Sequence, residues 1–142
     1  IWTRFKLCVY FSVSILKLNC RNRNRMEDST IKVHTFEENL LGCSVTFHVT
    51  KMKDSLFIWI GDEGNLDSLA VAMSTPYNSA PISSSLMGPT ADESSSSLAS
   101  RLSKKIGKQV FASYNLSKSD NSLMLDVTQR IIQEIADKPE NF

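Results

Sequence analysis

The stretch that most constrains the fold is Val45–Met73, VTFHVTKMKDSLFIWIGDEGNLDSLAVAM. Val45, Phe47 and Val49 alternate with Thr46, His48 and Thr50, a repeat of two that sends one set of side chains to each face of a strand. Leu56–Ile60, LFIWI, is continuous and apolar, rich in aromatic and β-branched residues, and closed by Gly61. A strand covered on both faces reads this way. Leu69, Val71 and Met73 begin a third alternation after the turn cluster Asp62–Asn65. Such short connections predict an antiparallel meander, because parallel neighbours need a crossover of about a dozen residues. The sheet comes first, and the rest of the chain must cover it.

Ile31, Val33 and Thr35 alternate with Lys32 and His34, predicting a first strand that ends near Phe36, with Glu37–Cys43 as a connection. Thr75-Pro76-Tyr77-Asn78 is a turn, followed by a short strand over Pro81–Leu86. Beyond a serine-rich run, Leu98, Leu102 and Ile106 fall four residues apart, the apolar stripe of a helix. Thr90 or Asp92 offers its N-cap, Asp92 and Glu93 its acidic start, Lys104 and Lys105 its basic last turn, and Gly107 its end. Gln109–Tyr114 reads as a further strand. A last helix over Ser122–Asp137 shows Leu123, Val127, Ile131 and Ile135 on one face, broadened by Met124 and Ile132. Asp126–Arg130 and Glu134–Lys138 are opposite charges four apart, and Pro139 stops the helix. The class expected is α+β: an antiparallel, sandwich-like core of five or six strands with two flanking amphipathic helices.

Charge divides the chain at Met26. Before it stand six basic residues and no acid; from it onward stand ten basic and fifteen acidic residues. Leu7–Leu16 is apolar but too short for a membrane span of roughly 20 residues, and no small-x-small cleavage pattern follows it. Residues 1–25 are therefore expected to be upstream sequence or a disordered extension, with Met26 the initiator and 26–142 the domain. Cys8, Cys20 and Cys43 show no paired spacing, which suits a reducing compartment.

Catalytic chemistry finds little support. His34 and His48 both occupy polar positions of predicted strands, no G-x-S-x-G elbow is present, and the serines of Ser83–Ser97 are too repetitive to nominate one nucleophile. His34, Cys43 and His48 lack metal-ligand spacing, and Asp62-Glu63-Gly64 is a turn without the further oxygens of a calcium loop. The glycines flank acids, which repel phosphate. Arg101, Lys104, Lys105 and Lys108 form one electropositive patch, without the interleaved aromatics of a nucleic-acid footprint. No catalytic, metal or cofactor-binding residue is assigned, and no cofactor or membrane is expected. The pattern is that of a binding module.

The ordered set DSLFIWIG (Asp54–Gly61), LAVAM (Leu69–Met73), PISSSLMG (Pro81–Gly88), SSLASRLSKKIGKQVFASYNL (Ser97–Leu116) and PENF (Pro139–Phe142) resembles the proteasome assembly chaperone 4 family. The match runs from about Val33 to Phe142; residues 1–25 fall outside it. The resemblance implies a non-enzymatic chaperone with a small sandwich-like sheet and flanking helices. It further implies a heterodimer with proteasome assembly chaperone 3 that helps build the α-ring of the 20S proteasome, chiefly through the α5 subunit. It implies action in the cytoplasm and the nucleus.

A transient assembly factor must hide an apolar face in its dimer and keep a more polar surface for its client. The wide last helix makes Met124, Leu125 and Ile132 candidates for the partner chaperone, and Lys104, Lys105 and Lys108 candidates for the client. Two other readings remain: a small α+β scaffold or trafficking adaptor, and a minor serine hydrolase using one of Ser83–Ser97 with His34 or His48.

Overall fold

The computed structural model describes residues 31–89, 93–117 and 120–142. In chain order its elements are strands β1 (Lys32–Leu40), β2 (Cys43–Lys51), β3 (Ser55–Gly61), β4 (Leu69–Thr75) and β5 (Asn78–Met87), helix α1 (Ser94–Ile106), strand β6 (Gln109–Asn115), helix α2 (Asn121–Asp137) and a closing 3-10 turn, Pro139–Asn141. The expectations for residues 1–25 and for the caps Thr90 and Asp92 lie outside the described residues.

The six strands make one sheet in the order β1-β2-β3-β6-β4-β5, so the class is α+β. The predicted meander is corrected at one step: β4 does not lie beside β3. β6 stands between them, parallel to β3 and antiparallel to β4. The buried strand LFIWI thus gains a neighbour on each side. β6 reaches the slot through α1, a helical crossover between β5 and a strand pointing the same way.

Both helices cover the same face of the sheet. Val45, Phe47, Val49, Leu56, Ile58, Ile60, Val110 and Ala112 point into it and are closed over by Leu98 and Leu102 of α1 and by Leu123, Val127 and Ile131 of α2. Complete burial of a Leu or Ile side chain stabilises by about 1.5–3 kcal/mol.

Two strands carry the opposite phase from the one their sequence suggests. On β1, Ile31 and Val33 are exposed, while His34, Phe36, Glu38 and Leu40 turn inward. Phe36 stacks on Phe47 at 4.6 Å between ring centroids, and α2 supplies partners for the inward polar groups. On β4, the small Ala70 and Ala72 are buried, and Leu69, Val71 and Met73 face away. Alanine lets α1 approach the sheet closely. The connection Glu37–Cys43 also shrinks to a two-residue turn. Leu41 and Gly42, with φ of 50° and 78°, join Leu40 to its partner Cys43.

The expected acidic first turn of α1 does not form, because Glu93 stands at the N-cap, before the helix and without a side-chain capping bond; the C-terminal end follows its chemistry. Gly107 is left-handed at φ 73°, and its N–H donates to Ser103 O at 2.8 Å beyond the basic last turn. On α2, Lys138 reaches Glu134 at 2.9 Å as expected. The expected pairing of Arg130 with Asp126 gives way to Glu38 on β1, at 2.7 Å, and Glu134, at 2.9 Å.

Candidate interaction surfaces

Among the described residues, no helix covers the face of the sheet turned away from α1 and α2. Backbone register sets a row across all six strands: Val33, Thr50, Phe57, Phe111, Val71 and Ser84. Met73 and Ile82 are partners beside it, 49% and 57% exposed. Large apolar side chains standing on a bare face, with alanines beneath them in the core, are the reverse of what an isolated domain needs. Exposed apolar patches of this kind are common at sites of contact with proteins, membranes or ligands.

One end of that face is closed by the loop 62–68. Trp59 is buried under it, and its indole Nε1–H donates to Asn65 O at 2.7 Å. The ring lies so close to Gly61 that a Cβ there would stand 2.5 Å from Trp59 Cζ2, which only glycine avoids. Asn115 Oδ1 accepts from the backbone N–H of Asp67 and Ser68 at 2.9 and 3.0 Å. The buried Ser113 hydroxyl donates to Ser68 O at 2.6 Å. These hydrogen bonds tie the loop to β3 and β6.

The residues singled out in the sequence are dispersed. His34 donates from Nε2 to Glu134 at 2.9 Å and packs its ring against Phe36. His48 lies on the outer face, shares a 2.9 Å hydrogen bond with Thr35, and has its pKa pushed down by burial. A shallow cavity between β5 and α1 is lined by Ser83, Ser85, Ser96, Ser97 and Ser100 with Glu93 and Arg101, and by neither histidine. Ser96 donates to Ser83 at 2.9 Å within it. Cys43 is a free, half-buried thiol. Among the described residues no three His, Cys, Asp or Glu gather as metal ligands.

The candidate contact residues fall on two different surfaces. Met124 packs partly into the core, whereas Leu125 and Ile132 are 57% and 37% exposed on the helical layer. Lys104 and Lys105 are exposed and Lys108 half-buried at the end of α1. Phe57, Phe111, Met73 and Ile82, which line the outer face, were not among the sequence candidates. The alternation Leu69–Met73 signalled two faces on β4 without saying which one is covered.

An α+β domain that, among its described residues, leaves an apolar sheet face uncovered and carries its helices on the other has the build of a protein-binding module. The family model for proteasome assembly chaperone 4 matches residues 44–116. The chain is 46% identical over 112 residues to the Homo sapiens protein described as proteasome assembly chaperone 4, across 79% of this chain and 91% of that one. It is 44% identical over 115 residues to the Mus musculus protein, across 81% and 94%. The chain belongs to the proteasome assembly chaperone 4 family, whose members are chaperones and not enzymes. In fold it is similar to a chain in the crystal structure of a chaperone complex for yeast 20S proteasome assembly. That likeness has a TM-score of 0.57 at 13% identity, covering 78% of this chain and 96% of that one.

Proposed function

We propose that this protein assists assembly of the 20S proteasome α-ring as one half of a chaperone heterodimer, with proteasome assembly chaperone 3 as partner and the α5 subunit as principal client. The observation that carries the reading is the uncovered row Val33–Ser84 with Met73 and Ile82, on a chain of this family. Burying that face against a second sheet places apolar side chains where an isolated domain leaves them wet. Leu125 and Ile132, exposed on α2 beside Met124, are the second candidate for the partner. Lys104, Lys105 and Lys108 are assigned to the client. The compartment proposed is the cytoplasm, extending to the nucleus.

Affinity purification of the tagged protein tests this, with the co-eluting proteins identified. A related chaperone and α-ring subunits are expected. Membrane-associated trafficking machinery in their place would overturn the reading in favour of an adaptor. Labelling by an activity-based serine probe would overturn it in favour of a hydrolase.

A further inference from the structure

Charge on the described residues is sorted by end. Where β3 and β6 begin, the chain carries Lys51, Lys53, Lys104, Lys105 and Lys108; where they finish, it carries Asp62, Glu63, Asp67, Glu93 and Asp120. Asp54, and at the β1 edge Asp137 and Glu140, are the acids of the basic end, and Lys51 donates to Glu140 O at 3.0 Å. Lys53, Lys104, Lys105 and Lys108 have no ion-pair partner among the described residues.

The register sets Lys53, Lys108 and an aromatic side chain in a row along this end. Ser55 is the partner of Gln109, so the turn carrying Lys53 flanks Lys108 on one side. Ala72 is the partner of Val110, so the β4–β5 hairpin tip flanks it on the other, and Tyr77 on that tip is 95% exposed. The last turn of α1 is tied to both: Ser103 Oγ donates to Lys108 O at 2.9 Å, and Ser74 Oγ donates to Ser103 O at 3.2 Å. Neighbouring strands lie about 4.8 Å apart, so cations one strand apart act within a Debye length of about 8 Å and add their fields. Compensation of the helix dipole explains Lys104 and Lys105. It does not explain Lys53 and Lys108, which lie off the helix.

We propose that this end docks an acidic segment of a protein partner, with Tyr77 as its aromatic anchor and Lys53, Lys104, Lys105 and Lys108 as the cations beside it. The inference deepens the client assignment above and rests on it for which protein docks, not for the chemistry. A single amphipathic aromatic at one end of a row of cations suits a short acidic stretch with one apolar side chain at its end. A nucleic-acid strand would need further stacking side chains along a continued basic track, and the opposite end of the molecule is acidic.

Fluorescence anisotropy tests it, using the whole chain and a labelled peptide of glutamates with one phenylalanine at its end. Saturable binding is expected, weakening steadily as salt rises to about 0.3 M. The combined change Lys53→Glu, Lys104→Glu, Lys108→Glu is expected to weaken it at least about ten-fold. Tyr77→Ser is expected to weaken it several-fold and leave the salt dependence unchanged. If the triple variant does not fold, the pair Lys53→Glu and Lys104→Glu, both fully on the surface, decides in its place.

Absence of saturable binding, undiminished binding by the charge-reversed protein, or no effect of Tyr77→Ser would overturn the proposal. Displacement of the peptide by an equal concentration of oligothymidine would also overturn it, by making the end a nucleic-acid site. Failed peptide binding with intact co-purification of chaperone and ring subunits sinks this inference alone. A purification without proteasome subunits sinks the assembly reading and leaves the peptide measurement standing.

Discussion

Phe57 and Phe111 are register partners in the parallel pair β3–β6, side by side on the sheet face that, among the described residues, no helix covers. Both are half-buried by their neighbours and open toward solvent. Changing either to Asp is expected to preserve the fold and weaken pairing with the partner chaperone at least about ten-fold, as loss of a central aromatic anchor does. Size-exclusion chromatography of the co-expressed pair reads this. Leu125→Asp with Ile132→Asp on the helical layer is expected to leave pairing intact, and the opposite outcome would move the interface to α2.

Glu134 is the polar pivot under α2. It is 2% exposed and accepts from His34, Arg130 and Lys138, each at 2.9 Å. The Lys138 hydrogen bond, more than those from His34 and Arg130, holds its carboxyl at about 2 against burial, where an ordinary glutamate titrates near 4.5. A depressed folded value means the contribution is complete above the unfolded pKa and disappears as pH falls through the folded one. Urea unfolding is expected to show a loss on the order of 2 kcal/mol between about pH 5 and pH 2, discounted because Lys138 is half in solvent. Glu134→Gln should flatten that dependence and cost about 2–3 kcal/mol at neutral pH by leaving Arg130 without its buried partner.

Gly61 is required by a ring, not by a turn. A Cβ would meet Trp59 at 2.5 and 2.7 Å and Asn115 O at 3.1 Å. Gly61→Ala is expected to destabilise by about 2 kcal/mol and lower Tm by several degrees, because Trp59 must swing from beneath the loop it anchors. Thermal unfolding followed by circular dichroism checks it.

The β1–β2 hairpin uses Leu41 where a left-handed backbone favours Asn. Both turn residues have positive φ, the pattern of a type I′ turn, and Leu41 is 66% exposed. Leu41→Asn removes an exposed apolar side chain and relieves the backbone, so stability is expected to rise by about 1 kcal/mol. An unchanged urea midpoint would show that the turn carries no strain.

Much of the architecture was legible because its signals are local. The stripe Leu98–Leu102–Ile106, the basic last turn and Gly107 name a helix and its end without reference to anything distant. Leu123, Val127 and Ile131 likewise name the buried side of α2. The contact surface was harder to read, because alternation reveals that a strand has two faces and is silent on which one is covered. On β4 the bulkier set, Leu69, Val71 and Met73, faced away from the core. On β1 the set containing His34 and Glu38 faced in, because Arg130 and Glu134 of α2 were there to receive it.

The amino-acid sequence by itself determined the kinds of element, the α+β class, the C-terminal end of α1 and the family. Tertiary structure alone decided that β6 separates β3 from β4, that both helices share one face, and that phenylalanines and methionine line the other. The reason is physical. Helices and turns are stabilised by groups within a few residues of one another, whereas a strand's neighbours and its covered side depend on side chains brought from far along the chain.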